Sequence, residues 1–312
     1  MEMAKNNYTY KKGYLNVSDN HKIYFELYGN PKGIPVLFLH GGPGGGFDDN
    51  DKRFFDPNVW NVLLFDQRGS GRSKPYASLK GNTTQKLIED INLLLKVNNF
   101  DKIMLFGGSW GATLALLYAI TNKDKVSGML LRGIYLGNSA DIKHLLNGAI
   151  KDYFPEYFER FISLVPKNKR KDILNHYFIS MTNGKNKNKF AYEWSFFESA
   201  VLKMKMKEKD IINDLKDGSY KALSPIEAWY MIKRNFVPDN YILKNAPRLS
   251  DLPVSIVHGR YDFVTPPINA WNLHKNIKNS KLYFVFAGHS SSELETEKKL
   301  KSELKKFAKL LK

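Results

Sequence analysis

The stretch Phe106-Gly107-Gly108-Ser109-Trp110-Gly111-Ala112 places a serine between glycines. It follows the apolar run from Ile103 to Phe106 and precedes an apolar pattern with helical spacing. This context predicts a nucleophile elbow, a sharp strand-to-helix turn that strains the serine backbone and exposes its hydroxyl above a sheet. The N–H of Trp110 would point to the same space, where a developing oxyanion is favoured. Taken alone, the motif fits an ordinary tight turn as well as a catalytic one.

Short apolar runs on both sides of this stretch predict strands of a mostly parallel sheet. Each run is too short for a helix, and each of the first four ends near glycine, histidine or aspartate. Two helical patterns, Thr84 to Val97 and Ala112 to Thr121, alternate with the runs. The alternating segment from Lys22 to Tyr28 predicts an antiparallel edge hairpin. The apolar runs are Val36 to Leu39, Val62 to Phe65, Ile103 to Phe106, Met129 to Leu131, Val254 to Val257 and Leu282 to Val285.

The middle of the chain has a different sequence pattern. From about Tyr135 to Ala246 the pattern is helical and rich in aromatic residues, with no strand-like run. We therefore predict that residues 135–246 form a helical cap inserted between two parts of an α/β core, residues 1–134 and 247–312. Within this cap, the lysine- and asparagine-rich segment from Lys185 to Lys189 is expected to be a loop.

Composition excludes several classes of protein. The 312 residues are 43% hydrophobic and 13% aromatic, which excludes a disordered chain. The formal net charge of +17 suggests a nucleic acid or an anionic membrane as partner. The lysines are dispersed, however, and near the C-terminus they alternate with Leu300, Leu304, Phe307 and Leu311 at helical spacing, as on a solvated helix face. We therefore expect no nucleic-acid partner.

The absence of cysteine excludes disulfides, thiolate metal sites and cysteine nucleophiles. Residues 1–7 contain no apolar segment, and no apolar run is long enough to span a bilayer, so we expect a cytoplasmic protein with no membrane partner. The histidines are scattered and no H-E-x-x-H motif occurs, so we expect neither metal nor cofactor. The oligomeric state is left open.

A serine nucleophile needs a base, and an acid that orients the base, and in this kind of fold both follow the serine in the chain. Asp262 follows the run that ends at Val257, and His289 follows the run that ends at Val285. The other histidines precede the serine, fall in the predicted cap, precede the acid or lie in a helical pattern. They are His21, His40, His144, His176, His258 and His274. The order therefore predicts a triad of Ser109, Asp262 and His289, although Asp262 also fits a simple turn former.

The second oxyanion donor is expected from the loop His40-Gly41-Gly42-Pro43-Gly44-Gly45-Gly46. Consecutive glycines let a backbone N–H approach a substrate oxygen with no Cβ in the way. A phosphate-binding loop is the competing interpretation, but the lysine and the Ser/Thr of a P-loop are missing. We assign the donors to the N–H groups of Gly42 and Trp110.

These motifs, together with the segment from Asp66 to Ser73, resemble the proline iminopeptidases (prolyl aminopeptidases) of the α/β-hydrolase fold. The similarity runs from about residue 8 to 295. It implies a mostly parallel central sheet flanked by helices, with an inserted helical cap. It also implies release of an N-terminal proline from peptides through an acyl-enzyme intermediate, with Ser109, Asp262 and His289 as the triad.

The resemblance continues in the cap. The family pattern W-S-x-W-E meets residues 194–198, and I-E-x-x-Y meets residues 226–230, which implies that Glu198 and Glu227 bind the free amine of the substrate. A cation excluded from water needs such a carboxylate partner. On composition alone both glutamates fit solvated helix surface. Phe197 stands where the family has tryptophan, so the pocket for the proline ring is expected to differ in shape.

Other functions stay open at this stage. A carboxylesterase or an aminopeptidase of broader specificity would use the same triad. A binding module with an inactive triad would not need both oxyanion loops, and a nucleic-acid scaffold would not disperse its lysines. Release of N-terminal proline is the function that the motifs favour.

Overall fold

A computed structural model describes residues 8–312, apart from the side chain of Asn147. Residues 1–7, where we expect no secretory signal, lie outside the described residues. The strands of the central sheet are β1 (Thr9–Asn16), β2 (Lys22–Gly29), β3 (Ile34–Leu39), β4 (Trp60–Phe65), β5 (Ile103–Ser109), β6 (Val126–Ile134), β7 (Val254–Gly259) and β8 (Ser280–Val285). Every run predicted as a strand lies within one of them.

The described strands form one sheet in the order β1-β2-β4-β3-β5-β6-β7-β8. β1 pairs with β2, and β2 with β4, in antiparallel fashion, while the remaining neighbours are parallel. The predicted edge hairpin and mostly parallel sheet are therefore confirmed. Because parallel strands share one carboxyl edge, the loops that follow β3, β5, β7 and β8 meet there.

Helices flank the sheet and fill the insertion. Those outside the insertion are α1 (Thr84–Val97), α2 (Trp110–Thr121), α11 (Pro267–Asn276) and α12 (Leu294–Leu310). The inserted ones are α3 (Ser139–Asn147), α4 (Ile150–Tyr153), α5 (Pro155–Ser163), α6 (Ile173–Asn183), α7 (Lys187–Val201), α8 (Glu208–Asp214), α9 (Tyr220–Ile232) and α10 (Tyr241–Asn245).

Two hydrophobic clusters cover the faces of the sheet. The larger contains α2, of which all but the last residue are buried, as expected for a helix that is apolar on every side. The smaller receives one stripe of α12, through Leu300, Leu304 and Phe307. Lys305 and Lys306 lie exposed on the opposite side of that helix, as predicted.

The inserted helices have a cluster of their own, in which aromatic side chains of α5, α6 and α7 pack together. No strand occurs between residues 135 and 246, although the domain boundaries themselves stay a prediction. α9 belongs to two clusters, because Ala222, Ile226 and Tyr230 pack in the core while Ala228 and Met231 pack in the cap.

One local expectation is wrong. The segment from Lys185 to Lys189 is a loop only as far as Asn186, since α7 begins at Lys187. Lysine is a good helix former, and the aromatic side chains that follow bury this helix, so its first turn extends into the polar segment.

Candidate active site

Ser109 occupies the strained turn that the sequence predicts. It ends β5 and directly precedes α2, with φ +57° and ψ −127°. A non-glycine residue in this region is held there by its surroundings. A Cβ on Gly107 would overlap the carbonyl oxygen of Gly111, and one on Gly111 would overlap that of Leu39. The backbone of the turn therefore has the form of a nucleophile elbow.

The glycine loop after β3 lies against this turn. A Cβ on Gly41 would be 3.6 Å from Cβ of Ser109. Gly42 has φ +108°, and a Cβ there would lie 2.7 Å from the nitrogen of Gly44, so the position requires glycine. Trp110 begins α2, where an N–H has no acceptor within the helix. The two N–H groups assigned as oxyanion donors thus belong to segments on either side of the serine.

His40 fixes the start of this loop. Its Nε2 accepts from the N–H of Gln67 at 2.9 Å, and its Nδ1 lies 2.8 Å from the carbonyl oxygen of Gly41 and 3.2 Å from the nitrogen of Gly46. Burial lowers the pKa of the imidazole. This histidine is a neutral support for the oxyanion loop, a role that the sequence did not reveal.

Asp262 and His289 lie in the loops after β7 and β8, and Oδ2 of the aspartate is 2.7 Å from Nδ1 of the histidine. Both side chains are buried, at 3% and 4% exposure. Oδ1 of Asp262 accepts the N–H groups of Val264 at 3.1 Å and Thr265 at 2.8 Å, and Oδ2 also accepts the Thr265 hydroxyl at 2.9 Å. The structure thus joins the predicted acid to the predicted base.

Burial alone would raise the pKa of Asp262, but the charge and hydrogen bond of His289 outweigh burial and lower the pKa to about 2. The carboxylate is therefore ionised at neutral pH and holds the proton of His289 on Nδ1, which leaves Nε2 to act as a base. The imidazole of His289 lies against Gly133, where an added Cβ would be 2.8 Å from Cε1 of the ring. Gly133 directly precedes Ile134, the residue that pairs with Ser109 in the sheet.

Within residues 8–312, no hydrogen bond joins the Ser109 hydroxyl to His289. Such contacts often tighten only when a substrate is bound.

Core and cap residues share one small space beside Ser109. Gly42 and Thr265 border this space from the core, and Glu198 and Glu227 border it from the cap. Its volume is about 20 Å³, which is room for about one water molecule. Gly42, Glu198 and Glu227, predicted from three distant segments of the chain, therefore border the same space as Ser109.

The two cap glutamates are carried by α7 and α9. Glu227 is 3% exposed, and its Oε2 accepts from Nε1 of Trp194 at 2.8 Å. Burial raises the pKa of Glu198, and burial together with the charge of Glu198 raises the pKa of Glu227 well above its usual range. The two carboxyl groups hydrogen-bond to each other. The interpretation as solvated helix surface is therefore wrong for Glu227, while half-buried Glu198 borders the same space. With both pKa values raised, the pair keeps a proton at pH values where exposed glutamates have lost theirs.

A third carboxylate, Asp141, borders the same space. Its oxygens accept from the N–H of Leu136 at 3.0 Å and from Nδ2 of Asn269 at 2.6 Å, and it completes a capping box with Asn138. These contacts explain Asp141 as a support for the start of α3.

His258 was set aside because it precedes the predicted acid, yet the structure places it beside the triad. Its Nδ1 accepts from the N–H of Ile134 at 3.0 Å, and its Nε2 donates to the carbonyl of Thr265 at 2.9 Å. Nε2 is also 3.5 Å from Oδ2 of Asp262. This pattern fixes one neutral tautomer, and burial lowers the pKa of the ring. A histidine at a strand end, four residues before an acid, was the available signal.

Arg132 is a second residue that the sequence analysis missed. It lies near the end of β6 and donates from Nη1 to the carbonyl oxygen of His289 at 2.7 Å. A Cβ on Gly108 would overlap its guanidinium group, so the middle glycine of the elbow makes room for the arginine. A charge at the end of an apolar strand was the available signal.

Phe197 lies in the core of the cap. It is 3% exposed and stacks on Phe161 with ring centroids 4.6 Å apart. It does not border the space beside Ser109. The replacement of the family tryptophan therefore concerns cap packing in the first place.

The described residues contain no group of three or more histidine, aspartate or glutamate side chains arranged to hold a metal ion. None of their helices combines the length and the apolar character needed to cross a membrane.

Comparisons with known proteins show the family and the fold of this chain. A family model described as alpha/beta hydrolase fold matches residues 34–296. A proline iminopeptidase of Arabidopsis thaliana is 38% identical over 289 residues, covering 91% of this chain and 76% of the relative. One of Xanthomonas citri is 38% identical over 291 residues, covering 92% and 93%. Among solved structures, an esterase of Exiguobacterium antarcticum is similar in fold, with a TM-score of 0.66 at 19% identity, covering 96% of this chain and all of that one.

Proposed function

Because this chain belongs to the proline iminopeptidases of the α/β-hydrolase fold, we propose that it releases N-terminal proline from peptides, with Ser109, Asp262 and His289 as its catalytic triad. One observation carries this assignment. The space beside the strained serine is bordered by the oxyanion loop on one side and by the carboxyl groups of buried Glu227 and half-buried Glu198 on the other. A hydrolase without amine specificity has no use for such a costly pair.

The triad divides the reaction into two acyl transfers. His289 takes the proton of the Ser109 hydroxyl on Nε2, and Oγ forms a bond to the carbonyl carbon of the substrate proline. The N–H groups of Gly42 and Trp110 hold the resulting oxyanion. His289 then gives the proton to the leaving amine as the C–N bond breaks, and water repeats the sequence on the ester to release proline.

The glutamate pair supplies the requirement for a free terminus. A protonated imino group that enters this water-poor space replaces the shared proton of Glu198 and Glu227 with a full positive charge. An acylated terminus brings no charge and leaves buried carboxyl groups without that partner. Exclusion of blocked peptides follows from this difference.

The test is a comparison of four substrates: a prolyl arylamide, its N-acetyl derivative, an alanyl arylamide and a short acyl ester. We expect kcat/KM to be highest for the free prolyl arylamide and at least 100-fold lower for the acetylated compound, since a buried charge loses its partner. Equal rates for the blocked and free amides would favour a carboxylesterase. Equal rates for alanyl and prolyl arylamides would favour a broader aminopeptidase.

Ser109→Ala identifies the nucleophile in the same panel. We expect kcat to fall by a factor on the order of 10⁴ or more on all substrates. Ser163→Ala, an exposed hydroxyl at the end of α5, is the matched control and should leave kcat unchanged. Retention of activity by Ser109→Ala would contradict the triad.

We also propose that the protein works in the cytoplasm. A chain without cysteine is compatible with a reducing compartment. Fractionation of cells that express the tagged chain would test this location.

A further inference from the structure

The loop that carries His289 is hydrogen-bonded to the cap. Leu202 follows α7 as its C-terminal capping residue, and its carbonyl oxygen accepts the N–H of His289 at 2.9 Å and the N–H of Ser290 at 3.0 Å. The last carbonyls of a helix have no partner within it, so a neighbouring segment can supply the donors. Here that segment is the loop of the proposed base.

Glu293 adds a second connection between the same two segments. Its Oε2 accepts the N–H of Gly288 at 2.7 Å, and its Oε1 accepts the N–H of Met204 at 3.1 Å. Gly288 precedes the proposed base, whereas Met204 belongs to the cap segment after α7. One half-buried carboxylate thus bridges two backbone N–H groups, one from each lobe.

The main chain of His289 is therefore held from opposite sides. The cap holds its N–H through Leu202, and Arg132 in the sheet holds its carbonyl oxygen. The Asp262 carboxylate contacts the ring of His289, whereas the hydrogen bonds from Leu202 and Arg132 hold its main chain. The position of the imidazole depends in part on contacts that the cap provides.

We propose that Glu293 is a positioning residue that fastens the end of α7 to the His289 loop and keeps the amine site in register with the base. Glu198 lies four residues before Leu202, about 6 Å along the helix axis. Movement at this junction displaces His289 relative to Ser109, while Glu198 stays bonded to Glu227. The inference rests on the proposed roles of Ser109, His289 and Glu198.

A merely structural role for Glu293 would change the stability of the protein and leave the reaction of the folded enzyme unchanged. A positioning role changes that reaction. Labelling of Ser109 by a fluorophosphonate separates the two, because the label needs the serine, the base and the oxyanion hole but not the amine site.

The variants are Glu293→Ala, which removes both acceptors, and Glu293→Gln, which keeps one acceptor oxygen. The matched control is Glu295→Ala, which removes an exposed carboxylate from the first turn of α12, the helix that begins directly after Glu293. We expect the labelling rate and the kcat for a prolyl arylamide to fall about tenfold in Glu293→Ala, as lost hydrogen bonds to a charged acceptor predict, and by less in Glu293→Gln. KM should change by less than about threefold, because Trp194 still holds Glu227.

Labelling and kcat at the level of Glu295→Ala in a folded Glu293→Ala variant would overturn the inference. If Glu293→Ala does not fold, Glu293→Gln decides in the same way: a reduced rate supports the inference and an unchanged rate refutes it. If the unmodified protein takes no label at Ser109, the proposed function fails and this inference with it. Normal labelling of the unmodified protein together with unchanged variants refutes the role of Glu293 alone.

Discussion

The core contributes one carboxyl group to the site, that of Asp262, and the cap contributes two, those of Glu198 and Glu227; the core and cap groups differ in their hydrogen-bond partners. Asp262 receives two backbone N–H groups, the Thr265 hydroxyl and the His289 ring, and its pKa falls to about 2 in spite of burial. Glu198 and Glu227 have each other and the indole of Trp194, and burial raises the pKa of both.

The difference separates two tasks that a carboxylate can perform. The aspartate is charged at all times because its surroundings are complete before any substrate arrives, which is what the orientation of a base requires. The glutamate pair is incomplete until a cation enters, which is what recognition of an amine requires. The charges and hydrogen bonds of neighbouring groups, more than burial, distinguish the proposed catalytic acid from the proposed binding acids.

Removing the charge of the core carboxylate should have the largest effect. Asp262→Asn puts an amide where His289 needs an acceptor, so the ring loses its tautomer and kcat should fall about 10⁴-fold on amide and ester substrates alike. Steady-state kinetics on a prolyl arylamide and a short ester measure this. Asp251→Asn, an exposed aspartate before β7, is the control and should react normally. A loss of kcat confined to the prolyl arylamide would contradict the assignment of Asp262 to catalysis and of the glutamates to amine binding.

Removing a cap carboxylate should act on one class of substrate. Glu227→Gln removes one of the two carboxyl groups that meet the substrate amine, so kcat/KM for a prolyl arylamide should fall by a factor on the order of 100, while kcat/KM for a short ester should change by less than about threefold. Glu193→Gln, on the same helix as Glu198 but paired with Arg160, is the control. Equal losses of kcat/KM on both substrates would indicate that Glu227 supports the fold and does not bind the amine.

The pH dependence should differ between the same two substrates. The glutamate pair must lose its shared proton before both carboxylates are charged and face the cation, and the pKa values of both glutamates are raised. The acid limb of kcat/KM for the prolyl arylamide should therefore extend to higher pH than the limb for the ester. In Glu227→Gln the arylamide limb should move to lower pH, because the competing carboxyl group is gone. Coincident limbs for both substrates in the unmodified protein would contradict a shared proton.

The smallest effect concerns stability. A carboxyl group whose pKa is raised by folding stabilises the protein below its unfolded pKa near 4.5, and that stabilisation is lost as pH rises through the folded value. The unmodified protein should therefore lose more stability than Glu227→Gln between pH 4.5 and pH 8. Thermal unfolding should show the Tm of the variant rising relative to that of the unmodified protein, by about 2 °C for each kcal/mol of difference in the free energy of unfolding. A constant Tm difference across this range would count against a buried, proton-sharing pair.

The parts of the site that follow strand ends could be predicted from sequence, because apolar runs, glycines and chain order determine where Ser109, Asp262 and His289 lie. The glutamates needed the family pattern, since composition pointed to the surface. Arg132 and His258 were signalled only by a charged or histidine residue at the end of an apolar strand. That signal does not say which group the side chain contacts, because these two residues and Glu293 act through backbone carbonyl and N–H groups. The start of α7 at Lys187 likewise depends on aromatic packing between helices that local composition does not contain.

The double membership of α9 has a practical consequence for engineering. One side of α9 packs in the core cluster, so Glu227 is held in place by the core. The end of α7 is hydrogen-bonded to the His289 loop. A graft that replaces α3 to α6 with helices of another hydrolase would leave both carboxyl groups in place and alter which side chains fit above the serine. Exchange of the whole insertion would discard the amine requirement together with the shape of the pocket.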